Sequence, residues 1–154
     1  MRSKGIRIND AASWGDGEIL GVTPSDILEF INYGDQLHWA ILELEATGDL
    51  GEKKWEQLEH YKTSQQGTQI SWDDLYATCK KFEQVIWITI IGSKNEKNLR
   101  FYNSDLEMYE SCEIVIELID SSYCEVFSHD HALIDRLEKH FKDTEILAPD
   151  EREI

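Results

Sequence analysis

The stretch Glu113-Ile114-Val115-Ile116-Glu117-Leu118-Ile119, followed by Asp120-Ser121-Ser122 and then by Tyr123-Cys124-Glu125-Val126-Phe127, decides the fold. Its apolar residues recur with a period of two. Ile114, Ile116 and Leu118, preceded by Cys112, mark one face of a strand, and Glu113, Val115, Glu117 and Ile119 mark the other. The polar triplet between the two runs is turn chemistry, so the pair reads as an antiparallel hairpin. A helix is predicted directly after it, from about Asp130 to Phe141. Ser128 or Asp130 caps this helix, and Leu133, Ile134, Leu137 and Phe141 form its inner stripe. Glu145–Leu147 reads as a last edge strand.

Upstream, Val85–Ile91 is almost continuously apolar and β-branched, as expected of a central strand covered on both faces. Leu37–Thr47 alternates: Leu37, Trp39 and Ile41 point one way, a series that Glu43 and Glu45 continue, while Ala40, Leu42, Leu44 and Ala46 point the other. Thr23-Pro24-Ser25-Asp26 opens a helix that Gly34 stops. Glu52–Thr63 has helical spacing through Trp55, Leu58 and Tyr61. Ser71 opens a further helix through Leu75, Cys79 and Phe82. Leu99–Tyr102 is read as a short strand or loop. Residues 1–18 read as an N-terminal segment that is either mobile or holds one short strand, at Ile6–Ile8, and 148–154 form an acidic tail.

Strict strand–helix alternation is absent, which excludes a doubly wound sheet. The expectation is a single α+β domain over residues 19–147, with a mixed, largely antiparallel sheet. About four helices pack mainly on one face, and the chain ends in a β-hairpin plus helix.

Thirty-one acidic residues oppose fifteen basic ones among 154, a net charge of −16. The excess is shared evenly by the two halves of the chain, so it is a property of the whole domain. Such a surface repels phosphate backbones and anionic lipid headgroups, and neither nucleic acid nor a membrane is an expected partner. A basic protein is attracted to it. Cys79, Cys112 and Cys124 show no disulfide spacing, no signal-peptide pattern precedes the domain, and no run approaches a membrane span, so the expected compartment is the cytoplasm.

No phosphate-binding loop, nucleophile elbow, dinucleotide fingerprint or Cys-x-x-Cys pair occurs, so no catalytic residue, metal or cofactor is assigned. His129-Asp130-His131 reads as the start of a helix with Asp130 as its cap, because residues two apart diverge on either a helix or a strand. The three cysteines read as core packing. The carboxylates are the candidates. Glu43 and Glu45 share a face of one strand, Glu113 and Glu117 share a face of another, and Glu125 lies on the returning strand. Asp49 and Asp120 sit in loops at strand ends, and Trp39 and Tyr123 lie near them. Glu117 is the sharpest, because Val115 and Ile119 flank it on its own face. Trp14 fits no core periodicity.

Three functions compete on this reading. The first is an acidic binding protein for a basic partner, such as the nuclease domain of a toxin. The second is a small enzyme or ligand-binding domain built around Glu117, His38 and Tyr123. The third is a module that oligomerises through the 145–147 edge. In size, acidity and lack of catalytic signatures the chain resembles small bacterial toxin-immunity proteins. The resemblance implies a carboxylate-rich face that occludes a basic active site, and it carries no individual residue across.

Overall fold

The computed structural model describes residues 2–14 and 17–149. The side chains of Ser13 and Trp14, and the tail from residue 150, lie outside the described residues, and with them the readings of Trp14 and of most of the 148–154 tail. In chain order the elements are β1 (Lys4–Ile8), β2 (Ala11–Trp14), β3 (Gly17–Leu20), α1 (Pro24–Leu28), β4 (His38–Gly48), α2 (Glu52–Leu58), β5 (Thr68–Ile70), α3 (Trp72–Lys81), β6 (Phe82–Ser93), α4 (Asp105–Ser111), β7 (Ile114–Ile119), β8 (Tyr123–Ser128), α5 (His131–His140) and β9 (Thr144–Leu147).

The α+β class is as expected. Seven strands form one sheet in the order β5-β4-β6-β7-β8-β1-β9, with neighbours antiparallel throughout, and β2 and β3 pair separately as a hairpin. The hairpin β7–β8 stands near the middle of the sheet. Its turn places Asp120 and Ser121 at φ 51° and 52°, a left-handed bend that matches the strand twist. The strand foreseen at Ile6–Ile8 is part of β1, which runs from Lys4 and lies between β8 and β9. No helix among the described residues is long and apolar enough to cross a membrane.

One face of the sheet carries the main core. Ile6, Ile8, Ile41, Ile88, Ile90, Ile116 and Val126 are fully buried there against Ile27 and Leu28 of α1, Leu58 of α2, Leu75 of α3 and Leu133, Ile134 and Leu137 of α5. Each such aliphatic side chain contributes about 1.5–3 kcal/mol on leaving water. The helices begin where capping chemistry allows. Thr23 and Asp26 form a reciprocal capping box ahead of Pro24, Ser71 accepts from the Asp74 amide, and Asp130 accepts from the Leu133 amide. Helix α1 stops at Leu28, short of the predicted Gly34.

Among the described residues a helix covers the second face at one end only, and that helix was not foreseen. Leu99–Tyr102 forms no strand, and α4 follows it. Ser104 caps α4 by accepting from the Glu107 amide at 3.1 Å. Beneath α4 lies an apolar row read straight across the sheet: Ala40, Ile91, Val115, Phe127, Gly5 and Leu147 are successive cross-strand partners. The Tyr109 ring stacks on Phe127 with centroids 3.8 Å apart. A Cβ on Gly5 would fall 2.3 Å from the Phe127 ring, so this close approach requires glycine. Cys112 ends α4 and packs in this second cluster, while Cys124 lies opposite Leu118 on the first face. The two cysteines are therefore not cross-strand neighbours, and Cys112 does not share the Ile114 face.

Candidate functional site

A single irregularity in β4 builds the site. Ile41 pairs with Ile90, but the next pairing is Glu43 with Thr89, so Leu42 is an extra residue opposite nothing. Such a bulge reverses the alternation. Trp39 and Ile41 remain on the helix-covered face, whereas Glu43 and Glu45 turn to the other. The simple alternation predicted for 37–47, which put Trp39 on the face of Glu43 and Glu45, is corrected by this one residue. Trp39 is 2% exposed in the core, where its indole N–H donates to the Gly34 carbonyl at 2.7 Å and its ring packs on Trp72.

After the bulge, a polar row runs parallel to the apolar one. Glu43 stands opposite Thr89, Thr89 opposite Glu117, Glu117 opposite Glu125, Glu125 opposite Arg7 and Arg7 opposite Glu145. Directly opposed residues of antiparallel strands share a face. Four carboxylates and one guanidinium thus form a line across six strands. The ends are exposed and the middle is not: Glu117 is 7% and Glu125 0% exposed. Arg7 holds Glu125 by placing Nε 2.8 Å and Nη2 2.7 Å from its Oε2, a close charge-assisted contact. The same guanidinium lies 4.5 Å from the centre of the Tyr123 ring and 3.9 Å from the Glu145 carboxylate. Tyr109 donates to Glu117 Oε1 at 3.3 Å and Thr89 to Oε2 at 3.4 Å, both longer than an ordinary hydroxyl hydrogen bond.

A third row flanks this line on the side away from α4. Glu45 stands opposite Trp87, and Ile119 opposite Tyr123. The structure therefore gathers Glu43, Glu45, Glu117, Glu125 and Tyr123 on one face. Asp120, in the turn after Ile119, and Asp49, just past Gly48, lie exposed near the end of the sheet that carries the third row. Glu113 is separated from the group. It precedes β7 at the far end of the sheet, where its carboxylate accepts from the Lys94 amide at 2.8 Å. His38 also lies at that far end, opposite Ser93, and does not converge with Glu117 and Tyr123.

Sequence reasoning missed Arg7, Thr89, Tyr109, Trp87 and Glu145 as members of the site. Arg7 alternates with the buried Ile6 and Ile8 on its strand, which is a legible signal of its face, whereas Glu145 sits between the half-buried Thr144 and the exposed Ile146 and gives none. Nothing in the chain announces that Tyr109 reaches the row, because α4 itself was not foreseen.

The other polar candidates have structural partners. His129 contacts the Tyr109 carbonyl at 3.0 Å and His131 the Arg2 carbonyl at 2.7 Å, while Asp130 accepts from the Tyr33 hydroxyl at 3.0 Å. No group of three or more metal-binding side chains converges among the described residues. Burial pushes the Cys79 thiol up to about 12 and the Cys112 thiol to about 11, and raises Cys124 as well, so all three are thiols at neutral pH and poor nucleophiles. Against known protein families, curated proteins and solved structures, the chain finds no match.

Proposed function

We propose that this chain is an acidic binding protein for a basic protein partner, an inhibitor or immunity protein that neutralises a toxin by docking the uncovered half of its sheet on a cationic surface. The observation that carries this reading is the carboxylate line from Glu43 through Glu117 and Glu125 to Glu145, bordered by Glu45, Trp87 and Tyr123. The exposed glutamates at its two ends, Glu43 and Glu145, present negative charge on a molecule that already carries −16. Aromatic rings beside charge are the usual anchors of a protein interface, and like-signed charge on one partner steers its opposite. At the centre Arg7 holds Glu125 while Tyr109 and Thr89 hold Glu117, and the exposed glutamates at the rim set the rate of encounter.

The test is capture from the native host on the immobilised protein at low salt, alongside a Glu43→Arg/Glu45→Arg variant. The expected result is one stoichiometric basic protein, released by raised salt and not retained by the variant. Equal retention by both forms would remove this face from the interaction.

A further inference from the structure

On the opposite face of the sheet, β3 of the β2–β3 hairpin lines one side of a cavity of about 150 Å³. Its floor is apolar: Val85 of β6, Leu118 of β7, Cys79 and the Phe82 ring, with Val22 and Pro24 at one side. Ile19 and Leu20 of β3, with Thr23, Glu83, Gln84 and Ser121, complete the lining. Two features separate this space from a packing void. First, that hairpin does not belong to the main sheet: β2 and β3 pair only with each other, and a single described backbone bond, Gly21 N–H to the Asp10 carbonyl at 2.6 Å, closes the hairpin's base. Second, Ile19 lines the cavity yet is 37% exposed, one of three large apolar side chains that the fold leaves open to water among the described residues. A space of this volume with mainly apolar walls accommodates a guest of benzene's dimensions.

We infer that the cavity beside the β2–β3 hairpin is a binding site for a compact, uncharged apolar ligand of about the size of a substituted benzene ring. The guest fills the space against Val85 and Leu118 and buries the exposed side of Ile19. Glu83 is the one charged residue of the lining, and Asp120 adjoins Ser121, so an anionic head group is repelled where it would emerge. Cys79 contributes a neutral thiol and takes no part in chemistry. The site lies across the sheet from the carboxylate row and does not depend on the reading proposed for that row.

Methyl-resolved NMR of the full chain with toluene as probe tests this. Saturable shifts are expected at the methyls of Ile19, Leu20, Val22, Val85 and Leu118. Benzoate, which adds a carboxylate to the same ring, should bind at least tenfold more weakly. Val85→Trp fills the cavity from the floor and should abolish the toluene shifts. Ile19→Ser changes a partly exposed lining residue, leaves the core untouched, and should weaken binding several-fold, so it carries the test even if the tryptophan variant does not fold. Absence of saturable shifts up to the solubility of toluene, or shifts unaltered by Ile19→Ser, would overturn the site. Benzoate binding as tightly as toluene would overturn the ligand class.

Discussion

Arg7 is the residue on which the second face turns. It is the one cation of the polar row and holds a carboxylate that has no exposure of its own. Arg7→Met therefore leaves the buried Glu125 without its guanidinium and should cost up to about 3 kcal/mol, the penalty of breaking a buried pair from one side. Arg7→Met/Glu125→Leu removes both charges and should recover more than half of that loss in urea unfolding. No recovery would mean that Arg7 acts by packing on Tyr123. Gly5 is the matching constraint in the neighbouring row. Gly5→Ala drives a methyl into the Phe127 ring and should destabilise by about 1–3 kcal/mol, read as a lower urea midpoint at unchanged slope. At the surface, Lys54 sits 2.7 Å from Asp74, and the hydrogen bond it donates holds the Asp74 carboxyl below its usual range. A depressed carboxyl stabilises the fold above its unfolded value, near 3.9, and loses that contribution as pH falls through the folded value. Because the pair is partly exposed, Lys54→Met should cost less than about 1 kcal/mol at pH 7, and the difference from the parent should vanish in unfolding curves taken at progressively lower pH.

Among the elements, those with a strong local period were legible and those held by tertiary contact were not. The hairpin Ile114–Ser128 and helix α5 read directly from alternation and capping, and β6 from its apolar run, because their side chains face a continuous core. The bulge at Leu42 was not legible. Its neighbours alternate perfectly well in sequence, and only pairing with β6 shows that one residue is extra. The acidic face was thus anticipated by residue type, with Glu117 and Glu125 together on it, while its membership was partly wrong: Trp39 belongs to the core, and Glu113 to the other end. Helix α4 was lost for a different reason. It spans only seven residues and buries only Met108 and Tyr109, too little periodicity to register, although Ser104 and Glu107 stand at capping-box spacing. That weak intrinsic basis makes α4 dependent on its cap. Ser104→Ala should cost about 1 kcal/mol. Amide exchange should rise first in Asp105–Ser111 rather than in β7, and uniform acceleration across the sheet would show that α4 is not an independent unit of stability.

Across the whole molecule, one charge distribution has two consequences of opposite sign in salt. A net charge of −16 on 154 residues repels itself, and the ion pairs that oppose it, such as Lys4–Asp135 and Arg100–Glu107, are exposed pairs worth little each. Raising NaCl from about 10 mM to about 150 mM shortens the screening length from roughly 30 Å to roughly 8 Å, well inside the dimensions of the domain. The free protein should gain on the order of 1 kcal/mol from this, a rise in melting temperature of about 3 °C for a chain of this length. Repulsion scales with the square of the charge. Glu43→Arg/Glu45→Arg changes each site by two units, takes the molecule from −16 to −12, and should reduce the salt-induced rise to roughly half. The same screening weakens encounter with a cationic partner, so stability and association should move in opposite directions over one salt series. Differential scanning fluorimetry of both proteins across that series decides the first half of the argument. A melting temperature that falls as salt is added would mean that the exposed ion pairs outweigh the self-repulsion. The anionic surface would then be internally compensated and could not act as a long-range attractor.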